Sequence, residues 1–356
     1  MSKRINQIEP LIDSNDVNAV KAYLSSGGWL TEHKETQLFE NNIKNYVERS
    51  YSIAVPNGTI ALYLSLKALG IGKGDKVAVP NITMIATINS VLWAEATPVL
   101  VDVDEFLCMS YEKLQKIYGL KAVIFVPLNG RVGKGEKIEK WCKNNNIFLI
   151  EDSAHALGSS YSKTKKCGSL GDISIFSFTP HKIITMGQGG MILTNKKTVA
   201  DFILKLKTFN RLKDKSDFHA GFGLNFKITD LQAAIGNSQF SKIEYRVSKK
   251  LNILKNYLEF LPNELSIINF NSLEVPWFID LIFKSKNQKN KSISKLQAHN
   301  IETRFAYPPL SKQKYLKAYA HNDLKYSENI FDKILWMPSS LNLSKKNVQQ
   351  ISSLLI

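Results

Sequence analysis

The chain has 356 residues, more than one ordinary globular core holds, and this length favours a large domain with a smaller one appended. Hydrophobic residues make up 44% and charged residues 22%, which is typical of a soluble globular protein. No run of about 18 apolar residues occurs, so we expect no membrane-spanning helix. The N-terminal segment lacks the apolar stretch of a signal peptide, and three scattered cysteines without a CxxC pair favour a reducing cytoplasm over a zinc site or disulfide framework.

The formal net charge of +16 admits two interpretations. A basic surface could attract nucleic acid or an anionic substrate. We favour lysines spread over solvated faces, as in 284–292 and 343–347, because no nucleic-acid-binding module is recognisable and basic residues do not interleave with aromatic ones. We therefore expect no nucleic acid and no membrane as partners, although a modest attraction for a diphosphate substrate stays open. The polar segment 285–294 is expected to be an exposed loop.

Short apolar runs alternate with helical patterns along the first part of the chain. The helical patterns include 59–70 and 135–146. The predicted strands cover 77–80, 98–104, 122–127, 147–152, 173–178 and 190–195. Nearly continuous apolar strands interleaved with helices predict an α/β fold with a mostly parallel sheet flanked by helices. Ligands of such sheets bind beyond the carboxyl ends of the strands, so functional residues should follow these runs.

The remainder of the chain has a different pattern. Residues 228–261 have a long helical periodicity that leads out of the sheet region. The patterns at 276–285 and 348–356 then predict a smaller C-terminal α+β domain. We place the large, ligand-binding domain at 1–245 and the small domain at 246–356.

Two polar residues follow predicted strands in a way that suits one cofactor. A pyridoxal-phosphate enzyme needs a lysine that binds the cofactor's aldehyde and a carboxylate that keeps its ring nitrogen protonated. Lys182 lies in a glycine-rich turn after one strand, and Asp152 ends another. His155, three residues further on, could donate a hydrogen bond to the cofactor's phenolic oxygen. Each has an ordinary alternative, since a loop lysine is usually solvated, an aspartate after a strand often caps a helix, and a lone histidine is often structural.

A phosphate-binding site is predicted at the start of the helical pattern 59–70. Gly58 and Thr59 could present backbone N–H groups to an anion there, assisted by the helix dipole. Ser177, at the end of a neighbouring strand, could add a hydroxyl. A plain helix cap has the same sequence pattern, so this feature alone decides nothing.

These pieces occur together and in a familiar order. The chain resembles the DegT/DnrJ/EryC1/StrS family of sugar aminotransferases, a branch of the aspartate-aminotransferase fold (fold type I). The stretches that carry the resemblance are 27–40, 57–80, 82–104, 150–161, 171–195, 223–236, 301–310 and 335–344.

The resemblance implies a role for each residue at the reacting centre. Lys182 would bind pyridoxal 5'-phosphate covalently and transfer the proton at the substrate carbon. Asp152 would pair with the pyridine nitrogen and His155 with the phenolic oxygen. Glutamate, the usual amino donor of the family, would be converted to 2-oxoglutarate.

The resemblance also implies how the phosphate is bound and how subunits assemble. Gly58, Thr59 and Ser177 would bind the phosphate. Asn225 resembles the family asparagine that reaches across an interface to the neighbouring subunit's cofactor phosphate, which implies a homodimer.

Three positions depart from the family pattern. Met84 stands where many members place an aromatic ring over the cofactor, and its polarisable side chain can still cover the ring. Asn57 replaces a more usual serine, and its amide can still hydrogen-bond. Ser311 stands where a histidine is common, which could affect the sugar or nucleotide side.

His181, beside Lys182, raises the alternative of a sugar dehydratase. A few relatives replace the covalent lysine by histidine and remove water instead of transferring an amine. Lys182 lies five residues before Gly187, which is the family's lysine spacing, so the lysine position is filled. We therefore expect transamination.

The substrate is predicted from local similarity only. The segments 129–131, 83–87 and 182–190 resemble the subgroup that acts on 4-keto-6-deoxy sugars linked to GDP or UDP, as in perosamine synthesis. Arg304 and Tyr307 are the expected contacts of the nucleotide-sugar end. Amination at C4 is expected, with C3 as the nearest alternative. A small phosphorylated ketone as substrate, a dehydratase and a non-enzymatic regulator are the remaining alternatives.

Overall fold

The structure, a computed structural model, describes residues 4–212, 217–320 and 322–355. Its first nine strands are β1 (Tyr51–Val55), β2 (Lys76–Pro80), β3 (Thr97–Val101), β4 (Leu120–Phe125), β5 (Phe148–Asp152), β6 (Ser160–Ser162), β7 (Lys165–Lys166), β8 (Ile173–Ser177) and β9 (Gly190–Thr194). Seven of them form one sheet of order β1-β9-β8-β5-β4-β2-β3, and β6 pairs with β7. In the large sheet β9 runs in the direction opposite to that of the other six strands.

Helices cover both faces of this sheet. They are α1 (Ser14–Ser25), α2 (Lys34–Val47), α3 (Gly58–Ala68), α4 (Ile85–Trp93), α5 (Tyr111–Leu114), α6 (Gly135–Asn144), α7 (Lys197–Lys207), α8 (Asp230–Phe240) and α9 (Ile243–Phe260). Val77 and Val79 of β2 pack in one apolar cluster, while Ala78 between them packs in another on the opposite face. Strands buried on both faces explain why the apolar runs are continuous in the sequence.

A second sheet follows in the last third of the chain. Its strands are β10 (Ser266–Ile267), β11 (Ile279–Ile282), β12 (Arg304–Phe305) and β13 (Ile334–Met337), and its helices are α10 (Lys286–Ala298), α11 (Lys325–Ile330) and α12 (Lys345–Ser353). The strand order is β10-β11-β13-β12, and every pair is antiparallel. The predicted fold class, a mostly parallel sheet flanked by helices and followed by a smaller α+β part, is confirmed.

Two local predictions differ from the structure. The helical pattern 228–261 is two helices, α8 and α9, because the chain breaks at residues 241–242. The loop predicted at 285–294 is wrong, since α10 occupies this segment. The Ser285 hydroxyl caps the helix by accepting from the Gln288 N–H at 3.2 Å, and the buried Lys289 and Leu296 give it an inward face.

The predicted domain boundary at residue 245 falls inside α9. Ile243 at the start of α9 packs with the large sheet, whereas Ile253 and Tyr257 pack under the second sheet. One continuous helix thus serves both parts, and the division at 245 stays a prediction.

The beginning of the described chain joins the second sheet. The Ile5 N–H donates to the Asn300 carbonyl at 3.0 Å, and Gln7 Nε2 donates to the Met337 carbonyl at 3.2 Å. Residues 1–3, which contribute to the expectation of no signal peptide, lie outside the described residues. Within the described ranges, no helix combines the length and the apolar character needed to cross a membrane.

Candidate active site

A cavity of about 440 Å³ opens at the carboxyl ends of the parallel strands. Loops that follow β1, β2, β4, β5 and β8 contribute to its wall, as an α/β sheet requires. The predicted residues that line it are Gly58, Thr59, Met84, Asp152, His155, Ser177, Lys182, Arg304 and Tyr307. The structure therefore brings together residues that are far apart in the sequence.

Lys182 lies in the loop between β8 and β9, with its amine facing an aromatic ring. Its backbone N–H donates to the Thr179 carbonyl at 3.0 Å, and its Nζ lies 3.9 Å from the centroid of the Trp277 ring. Burial lowers the pKa of the amine to about 7; the Asp152 carboxylate opposes this shift, and the Arg304 guanidinium adds to it. A lysine with such a pKa is available as a neutral nucleophile near neutral pH.

Asp152 ends β5 and is held by a chain of hydroxyl groups. Thr87 Oγ1 donates to Asp152 Oδ2 at 2.9 Å, so its contact with Thr83 Oγ1 at 3.0 Å must use the Thr83 proton. Burial raises the pKa of the carboxyl, although the Thr87 hydroxyl, the Ala154 N–H and the Lys182 amine oppose the shift. A buried carboxylate of this kind gains most from a cationic hydrogen-bond donor.

His155 is buried against the Trp277 ring. The two ring centroids are 3.9 Å apart. Burial, with a further contribution from the Lys182 amine, holds the pKa of His155 well below its usual value, so the ring is neutral. Its Nδ1 atom is buried and has no hydrogen-bond partner among the described residues. A ligand atom in the cavity is the remaining candidate partner for the ring.

The start of α3 approaches β8 closely on the other side of the cavity. A Cβ atom added at Gly58 would lie 3.2 Å from Ser177 Cβ, a tight contact that glycine avoids where the two backbones approach each other. Asn57 Oδ1 accepts from the Ile60 N–H at 3.0 Å, which shows how asparagine replaces serine at this cap. The first N–H groups of a helix have no acceptor within the helix, so those at Gly58 and Thr59 suit an anion.

Arg304 and Tyr307 lie at the side of the cavity that the second sheet supplies. The Arg304 guanidinium is 5.5 to 5.9 Å from the ring centroids of Trp336, Tyr307 and Phe278. The side chain is exposed and forms no ion pair with any described carboxylate. It therefore presents a fixed positive charge that is available to an anionic ligand.

Other residues considered from the sequence lie outside this cavity. Asn225 is exposed and pairs with Thr208 in an isolated bridge. Ser311 is buried and shares hydrogen bonds with Asn81 and Glu328, so it does not face a substrate. The segment 129–131 is likewise buried.

Sequence reasoning missed two residues of the site. Trp277 opens the apolar run 276–285, which indicates a strand and says nothing about a distant loop. Its indole Nε1 donates to the His181 carbonyl at 2.6 Å, which fixes the ring beside Lys182. Thr87 lies in the first turn of α4, in the segment 83–87 that the sequence singled out for substrate similarity, but nothing in that pattern indicated its contact with Asp152.

The site fits the cofactor implied by the resemblance. It combines a lysine of lowered pKa, a buried carboxylate, a neutral histidine with an unpartnered nitrogen, and a helix start beside Ser177. These are the groups that an aldehyde, a ring nitrogen, a phenolic oxygen and a phosphate need.

The comparison with known proteins agrees along nearly the whole chain. Residues 10–355 match the model of the DegT/DnrJ/EryC1/StrS aminotransferase family. GDP-perosamine synthase of Escherichia coli O157:H7 is 35% identical over 333 residues, which are 90% of this chain and 91% of that protein. The structure of the aminotransferase TlmJ from Streptoalloteichus hindustanus has a TM-score of 0.92 at 26% identity and covers 98% of this chain and 97% of its own. Spr1654 from Streptococcus pneumoniae, in its PMP form, has a TM-score of 0.90 at 25% identity, with 99% and 97% covered. This protein therefore belongs to the DegT/DnrJ/EryC1/StrS aminotransferase family and is a sugar aminotransferase.

Proposed function

We propose that the enzyme uses pyridoxal phosphate to move the amino group of glutamate to C4 of a nucleotide-linked 4-keto-6-deoxy sugar. The observation that carries this proposal is one cavity lined by Lys182, Asp152 and Arg304, which forms no ion pair with a carboxylate of the described chain. The 35% identity with a GDP-perosamine synthase supports a GDP-linked sugar as the first substrate to test. Amination at C3 is the nearest alternative.

The cavity offers a partner for each part of the cofactor. Its phosphate would lie at the start of α3 and its ring nitrogen at β5. The residues that would hold it are Gly58, Thr59, Met84, Asp152, His155, Ser177 and Lys182. When bound, pyridoxal phosphate supplies an electron sink that stabilises negative charge on the substrate carbon.

Lys182 would move the protons of the reaction. With a pKa of about 7, its Nζ can take the proton from the α-carbon of glutamate and later deliver one to the sugar carbon that receives nitrogen. Asp152 would keep the ring nitrogen protonated, and His155 would donate to the phenolic oxygen. Over the full cycle glutamate becomes 2-oxoglutarate and the keto sugar becomes an amino sugar.

Arg304 would bind the diphosphate of the nucleotide sugar. Its guanidinium lies against three aromatic rings, and its N–H donors have no partner in the part of the chain that the structure describes. Tyr307 lies beside it, with its ring 6.0 Å from that of His155, and could orient the sugar. The high net positive charge would add a weak general attraction for this dianionic group.

A homodimer would complete the site through Asn225. The residue is exposed on its own chain and does not line its own cavity. Two exposed aromatic residues lie nearby: Phe222 is three residues away in the sequence, and the Phe209 N–H donates to the Leu224 carbonyl at 3.0 Å. Exposed aromatic side chains of this kind are typical of an interface. Mixing inactive Lys182→Ala and Asn225→Ala subunits should restore activity, because one site of each mixed dimer has both residues intact. Mixed dimers that stay inactive would refute a shared site.

We also infer a cytoplasmic location. Cys108, Cys142 and Cys167 are all free thiols in the folded chain. Three unpaired cysteines suit a reducing compartment.

The function is tested by product analysis. Enzyme supplied with pyridoxal phosphate and glutamate is incubated with GDP-linked and UDP-linked 4-keto and 3-keto sugars. We expect one 2-oxoglutarate for each amino sugar formed, and amination at C4. Turnover without a keto-acid product would favour a dehydratase, and turnover of only a small phosphorylated ketone would overturn the proposal. A colourless protein that binds a DNA fragment would favour a regulator.

A further inference from the structure

A buried carboxylate, Asp280, joins the two sheets of the molecule. It accepts four hydrogen bonds from three side chains: Asn129 Nδ2 contacts its two oxygens at 2.8 and 2.9 Å, and Arg131 Nη1 and Trp336 Nε1 each lie at 2.6 Å. The side chains of Arg131 and Asp280 are both 0% exposed. These four residues, named here the junction cluster, lie outside the cavity.

The junction cluster spans both parts of the fold. Asp280 lies on β11 directly opposite Trp336 on β13. Asn129 and Arg131 follow β4 of the large sheet, just beyond its carboxyl end. The carboxylate therefore fixes the second sheet against the edge of the large sheet at which the cavity opens.

Two residues of the junction cluster, Asn129 and Trp336, contact residues that line the cavity. The backbone N–H of Trp277 donates to the Asn129 carbonyl at 3.1 Å, and the Trp277 ring packs against Lys182 and His155. The Trp336 ring is 4.7 Å from that of Tyr307 and 5.5 Å from the Arg304 guanidinium. Asp280 is thus separated from Trp277 by one residue, Asn129, and from Tyr307 and Arg304 by one residue, Trp336.

Stability alone does not account for this arrangement. A buried ion pair is weak evidence for stability, because removing both charges from water costs as much as their attraction returns. Arg131 Nη2 is buried and has no hydrogen-bond partner among the described residues, so the cluster is not fully satisfied. Asn129 also has a φ of 53°, an uncommon backbone conformation that allows it to face Asp280. An apolar junction would lack directional hydrogen bonds, whereas those of Asp280 fix one geometry between the two sheets.

We propose that Asp280 is a positioning residue for the nucleotide-sugar half of the reaction, holding Trp336 so that Arg304 and Tyr307 keep their places beside the substrate. This inference rests on the proposed function, since it assigns Arg304 to the nucleotide sugar. The glutamate half of the reaction needs Lys182 and Asp152, which follow β8 and end β5 of the large sheet. Trp277 beside Lys182 donates to the backbone carbonyls of Asn129 and His181, and Asp280→Asn leaves both carbonyls in place.

The test compares the two half-reactions in Asp280→Asn. Stopped-flow absorbance follows the conversion of the bound cofactor by glutamate alone, and then its reconversion by a GDP-linked 4-keto-6-deoxyhexose. We expect kcat/KM for the sugar to fall by at least about tenfold, because a small misplacement of a binding group has a large effect on rate. The glutamate half-reaction should stay within about threefold of the unmodified enzyme. Calorimetric titration of GDP should show a weaker Kd by about tenfold.

A second variant guards against misfolding of Asp280→Asn. Asn129→Gly removes two of the four hydrogen bonds, leaves the Arg131–Asp280 pair in place and suits the positive φ at this position. It should shift the sugar half-reaction in the same direction by a smaller factor.

The matched control is Asp16→Asn. Asp16 is also buried and accepts from Ser238, Gln239 and the Lys242 cation, but it lies on α1, faces α8 and does not line the cavity. It should lower the thermal midpoint and affect both half-reactions equally. If the Asp280 and Asn129 variants behave like this control, or change neither half-reaction, the positioning role is refuted. Failure of the unmodified enzyme to bind GDP or use any keto sugar would instead refute the proposed function.

Discussion

Two lysines lie in regions of this molecule that differ in what surrounds the amine. Lys182 faces the cavity. Lys250, a residue of α9, is buried, and its Nζ donates to the carbonyls of Trp277 at 2.8 Å and Ser339 at 2.6 Å. Burial lowers the pKa of both amines to about 7. Loss of water alone therefore does not make a lysine reactive; open space and a nearby carboxylate, Asp152, distinguish the two.

Trp277 lies between these regions and contacts both lysines. Its carbonyl accepts from Lys250, and its ring packs against the amine of Lys182. One residue thus connects a structural amine with a reactive one, and variants of these three residues, of Asp152 and of Thr87 can separate their contributions.

Replacing each lysine should give the largest difference. Lys182→Ala should reduce turnover by at least about 10⁴-fold and abolish the visible absorbance that borohydride bleaches, because no other lysine among the described residues lines the cavity. Lys250→Met, which keeps length and removes charge, should retain that absorbance. Absorbance spectra and 2-oxoglutarate release measure both. Loss of the absorbance in Lys250→Met would show that the two regions are not separable.

Replacing Asp152, the carboxylate near Lys182, should have the next largest effect on turnover. Asp152→Asn should lower turnover on the order of 10²–10³-fold, because a neutral amide cannot stabilise a positive ring nitrogen. Thr87→Val keeps the carboxylate and removes one donor to it, so its loss should be less than about tenfold. Steady-state kinetics compare the pair, and equal losses in both variants would contradict the role of charge.

Lys250 should affect how the free energy of unfolding depends on pH. Because the folded-state pKa of Lys250 is lowered from 10.5 to about 7, the unfolded chain binds a proton above pH 7 that the folded chain has released. The free energy of unfolding should therefore rise from about pH 7 to pH 9, by about 2 kcal/mol from this lysine. Above that range, the raised thiol pKa of Cys142, also a result of burial, acts in the opposite direction.

Denaturant unfolding of the cofactor-free protein at several pH values measures this slope. Lys250→Met should have the smaller rise, whatever its stability at one pH. Equal slopes in the two proteins would mean that Lys250 stays charged in the folded state.

Replacing Trp277, which contacts both lysines, should have the smallest effect, a shift in the pKa of Lys182. Trp277→Leu removes the aromatic face that favours the ammonium form, so the pKa of Lys182 should fall by about half to one unit. Trp277→Phe keeps a face and should stay closer to the unmodified protein. The pH dependence of amine labelling at Lys182, read by mass spectrometry in the cofactor-free protein, measures the shift. An unchanged pKa in Trp277→Leu would show that the ring only fills space.

The sequence predicts what local pattern determines. The run 147–152 corresponds to β5, and Asp152 lies at its end because a strand buried on both faces leaves a continuous apolar signature. β1 was not predicted, since it lies at the sheet edge and its first two residues are half-buried. The loop predicted at 285–294 was wrong because a polar segment with one buried face forms a helix when capped.

The contacts between the two sheets could not be predicted in this way. Trp277 and His181 are 96 residues apart, and Asn129 and Asp280 are 151 apart. Their meeting depends on how one sheet docks on the other, which hydrophobic periodicity does not encode. Family resemblance supplied the roles of Lys182 and Asp152 but gave no role to Trp277 or Asp280.

The hydrogen bonds of Ile5 and Gln7 with the C-terminal part of the fold have a consequence for synthesis. Ile5 and Gln7 leave the ribosome long before Asn300 and Met337 exist, yet each donates a hydrogen bond to one of these two residues. These contacts can form only when the chain is nearly complete. A fragment of residues 246–356 produced alone would lack them, and an N-terminal fusion partner would lie beside contacts that are among the last to form.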